Sequence, residues 1–387
     1  MVSRRGILAA LAAALSSAAL PSRAQERLVS GRPAGVILVT SGSDVRFRRI
    51  LIKTLQALQR MKIILFAPAD DAESRTGTAD IWGACAFALQ GPFLRFLPDG
   101  HYSYDFDPER RRRISALVTE RVLDANDVDL VLALGNEAAF DMARHIHDIP
   151  VLALASSSPV ESSLVLSAED SGQQNFHCVV EKDYYRRQVR FFHSVIRFGN
   201  LGLIADASRP EEAGVREIEK ATVNLGSGID IAVWESAGLT QEESFLNLLA
   251  ALEKLLKAGC DAVMLPRFQC GSDDFRRLTD LLRRYRVPSF SLDGTEAVER
   301  GILMSCGDSD LAALGRFEAS VIARVLEGTP PREIPQVFRP SSGLAVNLKS
   351  AMEIGWTPSF AILTTSEKAF STQSPQIETG RLGLSPK

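Results

Sequence analysis

The strongest constraint on this chain is an alternation that runs through it twice. Short apolar runs rich in β-branched residues give way to longer segments of helical period, then return. "GVILVT" (Gly35 to Thr40) reads as a first strand, after which Phe47, Leu51, Leu55 and Leu58 recur at helical spacing. "KIILFAP" reads as a second strand, "LVLALG" (Leu130 to Gly135) as a third and "VLALAS" (Val151 to Ser156) as a fourth. The helix-like "NEAAFDMARHI" separates the last two. Strands that alternate with helices build parallel sheets, because each helix carries the chain back to start the next strand in the same direction.

The pattern then restarts. "YYRRQVRFFHSVI" is amphipathic, "NLGLIADA" is strand-like, and a Glu-rich helix (Glu211 to Leu225) leads to the strand "DIAVWES". The next helix carries Phe245, Leu248, Leu249, Leu252, Leu255 and Leu256 on one stripe. "DAVMLPRF" and "VPSFSLD" supply two more strands, with the Phe275, Leu278, Leu281, Leu282 helix between them. The expected fold class is α/β, with two doubly wound parallel-sheet lobes joined by a hinge. Lobe 1 is expected over 25–160, with an insertion at about 69–109 that carries seven aromatic residues. Residues 161–183, rich in Ser, Gln, Asn and Gly, read as a crossover and hinge. Lobe 2 is expected over 184–330, a segment returning across the hinge over 331–370, and a polar, disordered tail over 371–387.

The first 24 residues follow a different logic. Arg4 and Arg5 precede an Ala/Leu run from Gly6 to Leu20, and small residues stand at Ser22 and Ala24. This is the pattern of an export signal cut after Ala24, and the Arg pair leaves both general secretion and twin-arginine export open. The expected location is the periplasm. A formal net charge of −3 over 387 residues gives no basis for nucleic-acid binding. The five cysteines are widely spaced, without a CxxC or Cys/His cluster, so they read mainly as buried free thiols, with one or two disulfides left open by the oxidising compartment. No motif calls for a metal or another cofactor, and none assembles a nucleophile, a base and an oxyanion hole.

The turns after the strands are the polar part of the chain. Strand one ends in Thr40-Ser41-Gly42-Ser43, strand three in Gly135-Asn136-Glu137 and strand four in Ser156-Ser157-Ser158. The second series offers Asp206-Ala207-Ser208, Pro266-Arg267-Phe268 and Leu292-Asp293-Gly294. Ligands of open α/β sheets sit beyond the carboxyl ends of strands, so these turns are the candidate ligand-binding positions. Ser, Asn and Asp are also what a helix start requires, so each has a capping role open to it. For a zwitterionic amino acid, Ser41, Asn136 and Ser157 would organise the carboxylate, and Asp293 or Asp206 the ammonium. Arg267 would favour a carboxylate-bearing ligand, and Phe268 would pack on an apolar part.

"LGRFEASVIARVLEGTPPREIPQVFRPSSGLAVNLKSAMEIGW" is the most specific stretch. Its helix of the form "LG…A…I…L.G..P…IP", followed by Leu344 to Gly355, closely resembles the end of the ABC transporter substrate-binding family that includes tryptophan and tyrosine uptake proteins. There the corresponding segment reads "LAVNLKTAKAIGL". The resemblance implies a type I periplasmic binding fold, a monomer whose lobes close on a small ligand, and an ABC permease in the inner membrane as partner. The turns match that family's cleft-lining positions. Two of them depart from it: Gly135-Asn136-Glu137-Ala138-Ala139 stands where relatives read "GTPAA", and Ser157-Ser158-Pro159-Val160 where they read "TDPV". A periplasmic sensor that signals to a membrane regulator is the alternative function. Within the segment, Leu344, Val346 and Leu348 alternate as an edge strand would, Asn347 is placed to cap a short helix, and Gly355 to end it.

Overall fold

A computed structural model describes residues 32–69, 77–88, 90–207, 214–236, 239–268, 270–306, 311–339 and 343–371. The expected export signal, residues 70–76 of the expected insertion, Ser208 and the tail from residue 372 lie outside the described residues. The chain forms two compact units: unit 1 takes in residues up to 182 together with 311–340, and unit 2 takes in 183–310 together with 341–387.

Unit 1 begins with β1 (Ala34–Thr40) and α1 (Val45–Arg60), then α2 (Thr78–Phe87), β2 (Leu94–Ser103) and α3 (Pro108–Asp124). It continues through β3 (Leu130–Leu134), α4 (Asn136–His145), β4 (Val151–Ala155), β5 (Phe176–Cys178) and the short β6 (Val180–Glu181). The first five strands form one parallel sheet in the order β2-β1-β3-β4-β5. Successive side chains of a strand point to opposite faces. Val36 and Leu38 accordingly join α1 and α2 in one core, while Ile37 and Val39 join Val118, Met142 and Phe176 in another.

Here the expectations need two corrections. "KIILFAP" is not a strand. Ile63 and Ile64 are buried, but Leu65 and Phe66 are exposed, and Gln56 and Gln59 donate to the Pro68 and Leu65 carbonyls as a loop allows. The strand beside β1 is β2, which comes from the segment read as an insertion. Its Pro98 and Asp99-Gly100 look like a turn, yet the strand is at the sheet edge, where a missing N–H is tolerated. The register shift between Val36 and Leu38 marks the irregularity.

Unit 2 runs through α5 (Tyr184–Ile196), β7 (Asn200–Asp206), α6 (Val215–Asn224), β8 (Gly228–Trp234), α7 (Gln241–Ala258) and β9 (Ala262–Leu265). It goes on through α8 (Ser272–Tyr285), β10 (Ser289–Ser291), α9 (Thr295–Glu299) and β11 (Met304–Cys306). The leucine stripe of α7 is buried as its period requires. Thr240 and Glu243 close a reciprocal capping box at its start.

The chain then re-enters unit 1 with α10 (Leu311–Leu326), a 3-10 turn (Pro331–Glu333) and β12 (Val337–Phe338), which pairs in parallel with β6. The boundary expected at 330 is therefore displaced: α10 packs along α1, not against the second sheet. A Cβ on Gly315 would stand 2.5 Å from the Lys53 carbonyl carbon, so only glycine permits this approach. Glu318, fully buried in α10, accepts a hydrogen bond from Thr54 of α1. Residues 161–182 likewise belong to unit 1.

The last crossing enters unit 2 with β13 (Leu344–Asn347), α11 (Leu348–Ile354), α12 (Phe360–Thr365) and β14 (Ser366–Phe370). Asn347 caps α11 by accepting from Ser350 N at 2.9 Å, and Gly355 ends it at φ 78°, both as expected. The strand itself is not an edge. β13 runs antiparallel to β11 on one side and parallel to β14 on the other, in a sheet ordered β14-β13-β11-β10-β9-β7-β8. All five cysteines are free. Among the described residues no helix is long and apolar enough to cross a membrane.

Candidate functional site

The strand orders single out one place in each unit. From β1 the chain winds outward to β2 and then crosses back to β3, so the order reverses between β1 and β3. In unit 2 it reverses between β7 and β9 in the same way. At such a switch point the connections leave in opposite directions and open a crevice beyond the strands' carboxyl ends. Ser41 and Asn136 follow β1 and β3, and Asp206 and Arg267 stand at the ends of β7 and β9.

In unit 1 the structure brings Ser41, Asn136 and Ser157 together, largely through bonds that hold the turns. Gly135, at φ 94°, is the N-cap of α4 and offers no side chain to the helix start. Ser41 supplies the missing acceptor: its Oγ takes the Ala138 N–H at 3.1 Å, and its own N–H donates to Leu134 O at 2.8 Å. A Cβ at residue 135 would lie 2.4 Å from that Oγ, so the arrangement requires glycine there. Asn136 grips the next turn with both ends of its amide. Its Nδ2 donates to Ser157 O at 2.9 Å and its Oδ1 accepts from Ser157 N at 2.8 Å.

Ser41 is thus buried and committed to the turn, while the Ser157 hydroxyl takes no part in the Asn136 clamp. Ser43 is exposed, and Ser158 is half-buried at φ 44°. Glu137 lies 3.6 Å from Arg111, which also forms a two-pronged pair with Asp141 at 2.8 and 2.7 Å. The Asp141 hydrogen bond raises the Arg111 pKa and keeps its charge fixed. Behind this face, burial pushes the Cys178 thiol up to about 12.

In unit 2, Asp206 is buried and accepts from the Ser236 hydroxyl. Arg267 is half-buried, and its Nη2 donates to Tyr184 Oη at 3.2 Å. Its guanidinium carbon lies 5.8 Å from the centroid of the same ring, so Tyr184 orients the cation by hydrogen bond and by its π-face. Phe268 stacks on Phe275 with centroids 5.9 Å apart and contributes to the core under α7 and α8. Asp293 donates its N–H to Ser291 Oγ at 2.9 Å and is half-buried. Burial raises the Cys306 thiol to about 11, against the pull of Arg187.

Tyr184 and Ser236 were not singled out by the sequence. An aromatic pair at the start of an amphipathic helix reads as core, and Tyr185 is core, edge-on to Tyr184 at 5.0 Å. The available signal was position: Tyr184 opens the first helix after the chain enters unit 2.

Two units of this construction, each with a polar switch point, have the fold of the type I periplasmic binding proteins. The family model described as ABC transporter substrate binding protein matches residues 102–370, and the chain belongs to that family. Among solved structures it is similar to an ABC domain from Streptococcus pneumonia in complex with L-Trp, at 18% identity and TM-score 0.63, covering 87% of this chain and 100% of that one. A conserved domain protein from Vibrio cholerae gives 16% identity and TM-score 0.64 with the same coverage. The ligand-free, open structure of a substrate binding protein with adhesive properties from Clostridium difficile gives 14% and 0.56, covering 88% of this chain and 100% of that one. At these identities the likeness is one of fold. No curated protein matches the sequence.

Proposed function

We propose that this chain is the solute-binding component of an ABC importer, working in the periplasm without catalysing a reaction. It captures a small polar solute that carries a carboxylate, an amino acid or simple acid, for an inner-membrane permease. The observation that carries this reading is Arg267. It is a guanidinium held half-buried at the β7/β9 switch point by Tyr184, the arrangement a carboxylate needs for a preoriented, charge-assisted pair. Membership of the family supports the solute-binding role, and the relative seen with L-Trp supports a ligand of this size.

On the unit 2 face Arg267 takes the carboxylate, and Asp293 is the acceptor for an ammonium. The switch point of unit 1, taken by itself, offers Ser43 and the hydroxyls of Ser157 and Ser158 as polar groups. Ser41 and Asn136 act one step removed, by holding the turns. The test is a thermal-shift panel of amino acids, short carboxylates, nucleosides and sugars on ligand-stripped protein. A bound ligand at about 100 times its dissociation constant stabilises by roughly 2.7 kcal/mol, an easily read shift. Arg267→Gln is expected to abolish the response to carboxylates, and Ser157→Ala to weaken it while leaving the Asn136 clamp in place. Stabilisation by sugars alone, or an unchanged response in Arg267→Gln, would refute the reading.

A further inference from the structure

Unit 1 has a second distinctive pole, at the amino ends of its strands and opposite the polar turns. Three chain segments meet there. The Ala34 N–H donates to Phe93 O at 2.8 Å. A Cβ on Gly91 would stand 2.5 Å from Ile63 O and 2.7 Å from Ile64 Cα, which puts the approach to β2 against the loop after α1. Gln90 donates to Ala86 O at 2.7 Å and ties the end of α2 to the same place. These segments expose Met61, Leu65, Phe66, Phe87 and Phe93, with Phe87 83% and Phe93 56% exposed.

Scattered single apolar residues on a surface are ordinary, but five on adjoining turns mark a contact surface. Two cations stand beside them, while the carboxylates just ahead of β3, Asp127 and Asp129, are paired with Arg121 and Arg32. Arg60 and Lys62 are exposed, and neither 59–69 nor 84–97 contains an Asp or Glu. The nearest acidic residues in sequence, Asp70, Asp71 and Glu73, lie outside the described residues. Protruding aromatics flanked by Lys and Arg suit a bilayer surface: the rings enter the boundary between headgroups and acyl chains while the cations meet anionic headgroups. The chain's own connectivity points the same way. The sequence ahead of Ala34 carries the basic-then-apolar run (Arg4, Arg5, Gly6 to Leu20). Until the expected cut after Ala24, such a leader would keep the segment ahead of Ala34 near a membrane.

We propose that the pole formed by Met61, Leu65, Phe66, Phe87 and Phe93, with Arg60 and Lys62, is a contact surface for an anionic lipid bilayer. The inference is independent of the solute. It is tested with the chain from Gln25 onward, which keeps every described residue but lacks the apolar leader. The readout is cosedimentation with vesicles of phosphatidylcholine alone, or with about one quarter phosphatidylglycerol. The protein is expected to pellet with the anionic vesicles and to be released by salt. Phe87→Ser with Phe93→Ser is expected to lower partitioning about tenfold. Arg60→Glu with Lys62→Glu should remove the preference for anionic lipid, and both variants should melt with the wild type. Absence of binding to anionic vesicles, or binding unchanged in both variants, overturns the proposal. So does sedimentation velocity showing a wild-type dimer that the Ser variant converts to monomer, since a second copy would then be what covers the pole.

Discussion

Glu318→Gln should change how unit 1 responds to pH. Glu318 is fully buried between α10 and α1, with one carboxyl oxygen bonded to Thr54 and the other without a partner. Burial raises its pKa well above 4.5; the Thr54 hydrogen bond and Arg46 oppose the shift, and Glu181 adds to it. Arg46 and Glu181 are themselves paired at 3.0 Å, so their two effects largely offset each other. The folded state keeps a proton that the unfolded chain releases near 4.5. The contribution of Glu318 to stability is therefore fully present below the unfolded value and falls as pH rises above it, by about 1.4 kcal/mol per pH unit while the buried carboxyl stays protonated. While the carboxyl stays protonated, the loss accumulated between pH 5 and pH 7 is on the order of 2 kcal/mol. Gln cannot ionise and keeps an acceptor for Thr54. The stability difference between Glu318→Gln and wild type should thus grow by that amount over the interval, in favour of the variant. Urea denaturation reads it through Trp82, buried in unit 1 edge-on to Phe96, with Trp234 and Trp356 replaced by Phe in both proteins. A difference that stays flat between pH 5 and pH 7, or a variant less stable at pH 7, would refute the buried neutral carboxyl.

Substitutions at two further positions probe the turns and the helix contact. Gly315→Ala forces a methyl to 2.5 Å from the Lys53 backbone and should destabilise unit 1 by roughly 1–3 kcal/mol, measured as a lower urea midpoint at unchanged slope. Asn136→Ala removes both bonds to Ser157 and should cost about 2 kcal/mol of stability, with solute affinity falling along with it. Asn136→Asp keeps the acceptor bond to Ser157 N but loses the donor bond to Ser157 O, and should lie between wild type and Asn136→Ala.

The fold was legible wherever a strand was continuous and apolar and its helix striped. β1, β3, β4, β7, β8 and β9 all stand where the pattern placed them. β2 was not, because Pro98 and Asp99-Gly100 spell a turn, and only its place at the sheet edge makes them tolerable. "KIILFAP" has the composition of a strand, but the place beside β1 is taken by β2. The period of α10 identified a helix; nothing in a helical stripe says which sheet it covers, so its return to unit 1 was invisible. At the candidate site, the polar turns were found by residue type, but residue type does not separate a ligand contact from a brace. Ser41 and Asn136 brace the turns through hydrogen bonds that residue type does not reveal. Tyr184, which positions Arg267, was hidden by its resemblance to a core residue.

The return of α10 also has a consequence for biosynthesis. Thr54 and Glu318 are separated by 264 positions, and Leu314, Ala319, Ile322 and Val325 are part of the core that α1 begins. The amino-terminal unit therefore cannot finish folding while the ribosome is still making the second one. It stays open until α10 and β12 have been made, after residues 183–310 of the second unit. Contacts this distant in sequence fold slowly. That delay leaves the core begun by α1 open to other contacts for as long as residues 183–310 are being made.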